Sequence, residues 1–413
     1  MAKISPFRGL RPVKQLGAEV ATLPYDVVSV AEAREFKKDP YNFYHVTRSE
    51  IDLPDNVDVH SQQVYDKAKE NLDAMVADGI LVQDKEPSYY IYELVMNGRS
   101  QTGLVCGSSI DDYNNGIVKK HEFTRPEKEQ DRISHITATG AQTGIVFLAY
   151  NDCESVQDII DTWKKDHSPE YDFTASDGVR HIFWVIADYA KVAAITHHFA
   201  QDVPCTYIAD GHHRAASAAK VCKEMRDNGY SVDGDEAFNY FVTCIFPASQ
   251  LNIMDYNRVS KDLNGKIPEE FIQQLEHEFD VFRLGSEAFQ PAQPHEFGMY
   301  LGNTWYKLVA KEGTYTFDPI GVLDVTILQQ NVLDKLLDIK DPRVDKRVDF
   351  VGGIRGMQAL EKRVNSKEAA VAFSLYPVTI QQLFTIADSG NVMPPKSTWF
   401  EPKLRDGLVV YMI

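Results

Sequence analysis

One short stretch restricts the fold of this chain more than any other. Thr206 to Ala209 reads as a strand, and it runs directly into Asp210-Gly211-His212-His213-Arg214 and then into the small residues Ala215-Ala-Ser-Ala218 of a helix reaching Met225. A strand that turns through glycine into such a helix implies an α/β arrangement, with the helix lying close on a sheet. The glycine permits the tight turn. The unpaired N–H groups and dipole of a helix start favour an anion. Arg214 can hold a phosphate or carboxylate with two donors, and His212 and His213 can donate hydrogen bonds, move protons or bind metal. The bland alternative is a capped helix with two surface histidines. Two histidines and an arginine at one helix start favour function.

The 413 residues suit two domains, or one core with a large appendage. A hydrophobic fraction of 44% allows a sizeable core, and a net charge of −17 counts against DNA phosphates as a partner. The five cysteines are widely spaced, without a CxxC pair. That fits a reducing compartment and neither a disulfide framework nor a zinc ribbon. No apolar run has the length of a signal peptide or a membrane span, so a cytoplasmic location is expected.

Coarse patterning predicts helices over Ala31–Lys38, Val59–Leu81, Val156–Lys165 and Ala190–Ala200. It predicts strands over Glu19–Leu23, Tyr89–Met96, Arg99–Ile110, Thr143–Tyr150, His181–Asp188 and Phe241–Phe246, with an Asn97-Gly98 hairpin turn. Beyond Leu251 the texture changes. Helices are expected at Glu269–Phe279 and Leu323–Leu337, and strands at Trp305–Ala310, Gly313–Thr316 and Ala370–Leu375. A boundary near residue 250 separates a phosphate-binding core with an N-terminal elaboration, 1–250, from an α+β portion, 251–413.

Three further segments carry candidate chemistry. In His121-Glu-Phe-Thr-Arg-Pro-Glu-Lys-Glu-Gln-Asp-Arg132, Thr124 and Glu127 have capping-box spacing, and Pro126 falls in the first turn. Lys128 and Arg132 share a helix face, a repulsion that an anion would relieve. Glu122 is a candidate base or metal ligand. Asp26 in Leu23-Pro-Tyr-Asp-Val27 is either an Asx-turn residue or a rival base. Met393-Pro-Pro-Lys-Ser-Thr-Trp-Phe-Glu-Pro-Lys403 offers Lys396, Ser397, Thr398 and Lys403 to an anion, without the glycines of a P-loop. Arg258 in Tyr256-Asn-Arg258 is a candidate for a substrate carboxylate. Gly352-Gly353 reads as a turn, and His197-His198 as structural or solvated.

The Asp-Gly-His-His-Arg box resembles the phosphate-handling box of the ParB/sulfiredoxin superfamily. Over most of the chain, Pro24-Tyr-Asp-Val27, Asn42-Phe43-Tyr44, His121-Glu-Phe-Thr124 with Lys128, Asp131 and Arg132, the box itself, Tyr256-Asn-Arg258, and Pro395-Lys-Ser-Thr398 with Phe400 and Pro402-Lys403 resemble a bacterial ParB-like family of about 400 residues. That family is often labelled uncharacterised and is related to free L-serine kinases. The resemblance implies a mixed α/β fold, with a ParB/sulfiredoxin-like core carrying large insertions. It also implies transfer of a phosphoryl group from pyrophosphate or a nucleotide to free L-serine. Gly211, His212, Arg214, His121, Lys128, Arg132, Lys396, Ser397, Thr398 and Lys403 would hold the donor. Asp26, Glu122, Asp210 and His213 would act in catalysis, Arg258 would take the substrate carboxylate, and Asp210 would help bind Mg²⁺. The expected partners are an anionic donor and an amino acid, with no nucleic acid and no membrane, and a homodimer is left open. Two other readings stand beside it. One is a ParB-type nucleotide switch or DNA-partition protein. The other is a metal-dependent hydrolase using His121, Glu122, His212 and His213.

Overall fold

A computed structural model describes residues 1–230 and 234–413. The architecture is mixed α/β, in two compact units: Met1–Leu251 joined by Pro402–Ile413, and Asn252–Glu401. The closing segment of the chain thus belongs to the first unit.

The first unit is built on a mixed sheet. Its strands are β1 (Ile4–Ser5), β2 (Tyr89–Met96), β3 (Arg99–Ser109), β4 (Val118–Lys119), β5 (Val146–Tyr150), β6 (Tyr171–Thr174), β7 (Arg180–Ile186), β8 (Thr206–Asp210) and β9 (Tyr240–Pro247). Their order is β4-β8-β5-β9-β3-β2-β7-β6, with β1 added beside β3. The Asn97-Gly98 turn joins β2 and β3 as expected, both residues taking positive φ. β8 runs parallel to β4 and antiparallel to β5, and its register shifts between Ile208 and Asp210. A shift of this kind turns the side chain that follows it, and here that side chain is Asp210.

Helices α1 (Gln62–Ala77), α2 (Pro126–Thr139), α3 (Glu154–Asp166), α4 (Tyr189–Asp202) and α5 (His212–Asp227) complete the main elements of this unit. Val156 and Ile160 of α3, Ile195 and Phe199 of α4, and Ala215, Ala218, Ala219 and Cys222 of α5 share one core with Leu104, Cys106, Leu148 and Ile208 of the sheet. A second core joins Leu72 and Met75 of α1 to Leu10, Val20, Phe43, Val46, Ala141 and Val410.

In the second unit, β10 (Tyr256–Ser260), β11 (Phe279–Gly285), β12 (Glu296–Leu301), β13 (Thr304–Ala310), β14 (Val348–Gly352) and β15 (Val371–Leu375) form a sheet ordered β11-β13-β12-β15-β10-β14. Met357 and Leu360 of the helix Gly356–Asn365 pack on it.

Four local expectations are corrected. Of the strand expected at Glu19–Leu23, Glu19 and Val20 lie in a short helix, Gly17–Val20, and Thr22 makes a single β-bridge to Asp406, because so short a run shows no periodicity. Gly313–Thr316 is a turn: Gly313 has φ +86, and the Thr314 N–H and hydroxyl both donate to Lys311 O. The Leu323–Leu337 helix is an α segment, Asp324–Leu328, that widens into a π turn at Gln329–Asp334. The capping box at Thr124 and Glu127 does not form. Arg125 is the N-cap, Pro126 is the first helical residue, and the Thr124 hydroxyl is bonded to Glu129 instead.

Candidate functional site

The site grows from the turn between β8 and α5. Gly211 sits at φ +94, a conformation that side chains resist, and its N–H donates to Asp210 Oδ1 at 3.0 Å. Asp210 Oδ2 lies 3.3 Å from Lys403 Nζ and 3.5 Å from the Arg214 guanidinium. Burial pushes the Asp210 carboxyl upward, but Lys403 and then Arg214 outweigh it and hold the group well below the usual carboxylate range.

Arg214 is buried and donates to Ile145 O. A Cβ at Gly144 would stand 3.1 Å from Arg214 Cδ, so that glycine makes room for the side chain. Burial works against the guanidinium charge, while Asp26, Asp210 and Asp406 outweigh it and raise its pKa.

The histidines of the box are neutral donors and acceptors. The His121 and His212 rings meet edge to face at 4.5 Å, and His212 Nε2 accepts from the His121 N–H at 3.5 Å. His212 Nδ1 is 4.0 Å from Glu122. His213 Nε2 accepts the Arg125 N–H at 3.0 Å. Burial lowers His121 to about 4, burial and then Lys128 lower His213 to about 4, and burial with His121 carries His212 down as well.

Next to this turn lies a cavity of about 440 Å³, the size of a small-molecule site. Tyr25, Asp26, Arg48, Glu50, His60, Tyr65, Lys128, Asp131 and Arg132 are in its wall. A smaller cleft shares Tyr25, Arg132 and His135 with it and reaches Gly144 and Arg214. Lys128 and Arg132 therefore face one space, as their spacing on α2 requires. Arg132 is fixed: its guanidinium stacks 3.8 Å from the Tyr25 ring centroid and bonds Asp131 at 2.7 and 2.9 Å. Asp131 also accepts from Tyr65 at 2.9 Å and His60 at 3.1 Å. Arg48 clamps the turn bearing Asp26 by donating to Tyr25 O and Val28 O, both at 2.6 Å, and pairs with Glu50 at 3.2 Å.

Sequence reading missed Arg48, Glu50, Tyr65 and Asp406. They stand singly in segments without motif spacing, and only the chain path brings them here. Asp131 and Tyr25 sat inside quoted motifs without a role.

Lys396, Ser397, Thr398 and Arg258 belong to the second unit. There the Arg258 guanidinium lies over the Phe350 ring at 5.1 Å and donates to Tyr256 O, to Lys396 O at 3.0 Å and to Pro395 O at 3.3 Å. The Ser397 hydroxyl donates to Pro394 O at 2.6 Å. These bonds shape the Pro394–Ser397 turn, and burial lowers Arg258 to about 10.

The metal expectation does not fit at Asp210, because its carboxylate already faces two cations. Among the described residues, no group of three or more His, Cys, Asp or Glu side chains is arranged to hold a metal ion. His212 and His213 each turn Nε2 to a backbone N–H group, of His121 and Arg125 respectively. No described helix is long and apolar enough to cross a membrane.

Comparison with known proteins adds distant likenesses. A conserved hypothetical protein from Pyrococcus furiosus is similar at 13% identity and a TM-score of 0.35, over 75% of this chain and 95% of that one. A mutant free serine kinase in complex with AMP is similar at 13% identity and a TM-score of 0.38, over 74% and 92%. SbnI with a C-terminal truncation, from Staphylococcus aureus, is similar at 12% identity and a TM-score of 0.33, over 74% and 86%. Likenesses so distant say nothing of activity. No curated protein matches. The model of the DUF1015 family, proteins of unknown function, matches residues 4–326, and the chain belongs to that family.

Proposed function

We propose that this protein is a small-molecule phosphotransferase that moves a phosphoryl group from pyrophosphate or a nucleotide to the hydroxyl of free L-serine. The supporting observation is the joining of two parts. One is a glycine-turned helix start with Arg214 and Lys403 beside it. The other is a cavity whose wall holds both fixed cations and carboxylates. Phosphoryl transfer needs positioned positive charge and a carboxylate near the attacking hydroxyl, and little covalent chemistry from the protein.

In this reading the first turn of α5, with Arg214, Lys403 and Lys128, takes the donor phosphates. Arg132, held by Asp131 and Tyr25, takes the carboxylate of the amino acid. The serine oxygen forms a bond to the transferred phosphorus, and the bridging P–O bond of the donor breaks. The leaving phosphate or nucleotide carries away that electron pair. The hydroxyl proton passes to a carboxylate. Asp26 and Glu50 are in the cavity wall and Glu122 is beside His212, so these three are the bases to separate.

Phosphorus NMR of the protein with L-serine, Mg²⁺, and pyrophosphate, ADP or ATP in turn tests the reading. A phosphoserine resonance that grows with one donor supports it. The absence of phosphoserine with every donor rejects it.

A further inference from the structure

We propose that Asp406, on the segment by which the chain returns to the first unit, is a positioning residue whose carboxylate orients the Arg214 guanidinium and couples it to the turn carrying Asp26. Its kinetic consequences rest on the phosphotransferase reading, while its geometric basis does not.

The Asp406 N–H donates to Thr22 O at 2.9 Å, and Asp406 O accepts the Thr22 N–H at 3.0 Å. This two-way backbone pair sets the side chain against the residues that follow Thr22. There the backbone N–H of Tyr25 donates to the carboxylate. Asp406 is only 2% exposed, yet its Oδ2 has no hydrogen-bond partner. A buried carboxylate with an orphan oxygen is costly, and holding the backbone pair does not require it.

Arg214 is the cation that most favours the charge of this carboxylate. Gly144 stands between the two: a Cβ there would come 3.1 Å from Arg214 Cδ and 3.5 Å from Asp406 Oδ1. The missing side chain leaves the gap open, and in surroundings this dry opposite charges act strongly across it. The other groups facing the carboxylate are Asp26, Arg132, Tyr25, Tyr44 and Tyr92. Neighbouring Arg405 is committed elsewhere, to Asp177 and, at 3.2 Å, to His181. Burial raises the Asp406 carboxyl to about 7 against the pull of Arg214. Its charge, and with it the restraint on Arg214, therefore changes near neutral pH.

The test uses the full chain and Asp406→Asn, which keeps the shape and an acceptor for the Tyr25 N–H. Exchange of the Arg214 Nε–H is followed by nitrogen-15 NMR, the resonance being assigned with Arg214→Lys. In folded Asp406→Asn this exchange speeds up about tenfold. With L-serine and pyrophosphate, kcat falls about tenfold or more while KM for serine changes less. The rise of activity with pH through about 7 flattens in the same variant, and Asp406→Glu recovers part of the loss. An unchanged exchange rate in folded Asp406→Asn overturns the proposal. Should that variant not fold, the wild-type chain decides. Its Arg214 exchange, corrected for intrinsic base catalysis, must show an inflection near 7, and a featureless profile overturns the proposal. Wild-type protein that turns over no donor sinks the kinase reading alone, since the exchange measurements need no substrate.

Discussion

Arg214 is the residue on which the site turns, because Asp210, Asp26 and Asp406 all bear on its charge. Arg214→Ala leaves Asp210 with Lys403 alone and takes a cation from the surroundings of the buried Asp406. The expected outcome is a loss of about 3–5 kcal/mol in urea unfolding and a fall in kcat of about a hundredfold or more. Arg214→Lys keeps charge but loses the planar fork, and should recover stability better than activity. Turnover at the wild-type rate in either variant would remove Arg214 from the mechanism. Gly144→Ala is a finer probe. A Cβ 3.1 Å from Arg214 Cδ must displace that side chain, so activity should drop about tenfold or more with a small change in melting temperature. The sequence marked Arg214 through its neighbours in the box. It did not mark Gly144 or Asp406, since their importance lies in what they face across the sheet.

At the scale of elements, the unit of β8, Gly211 and α5 was legible because its pattern is local. An apolar run, one glycine and a series of small residues fix strand, turn and close-packed helix within a few positions. Ala215 is 0% exposed and Ala218 4%. Ala215→Leu or Ala218→Leu should therefore cost about 1–3 kcal/mol by overpacking, read from urea midpoints. The start of α2 was misread for an equally physical reason. Spacing alone allows a capping box, but Pro126 at the first helical position and the bond from Thr124 to Glu129 shift the cap to Arg125. Removing a real cap costs about 1 kcal/mol. Glu127→Gln should instead leave stability within about 0.5 kcal/mol, and a larger drop would restore the capping box.

For the whole molecule, buried histidines set the acid limit. Burial lowers His121, His135 and His213 to about 4 and His181 to about 3. An unfolded chain binds a proton at each near 6.5. Between about 6.5 and 4 unfolding therefore takes up protons, and stability falls as pH falls. Asp406 acts in the opposite sense. Raised to about 7, it is protonated in the fold where the unfolded chain is not, so its contribution to stability is lost as pH rises. The lowered histidines, His212 among them, outweigh the raised Asp406, Asp112 and His45, and the melting temperature of the first unit should drop between pH 7 and 5. A flat profile would mean that these rings are charged in the fold. Truncation after Glu401 strips Leu408, Val409, Val410 and Tyr411 from the buried interior and removes Lys403 and Asp406. The shortened chain should lose the folding transition of the first unit, measured by calorimetry, and all turnover. By itself the sequence determined the elements whose signals are local: the β2–β3 hairpin, the helices with an apolar stripe, and the strand–glycine–helix box. Only the tertiary structure decided which carboxylates and cations share a space. It placed Arg48 and Glu50 in the cavity, set Asp210 against Lys403 and Arg214, and brought Asp406 and Arg214 to the same glycine, Gly144. Contacts between residues so far apart along the chain depend on sheet order and burial, which no local spacing encodes.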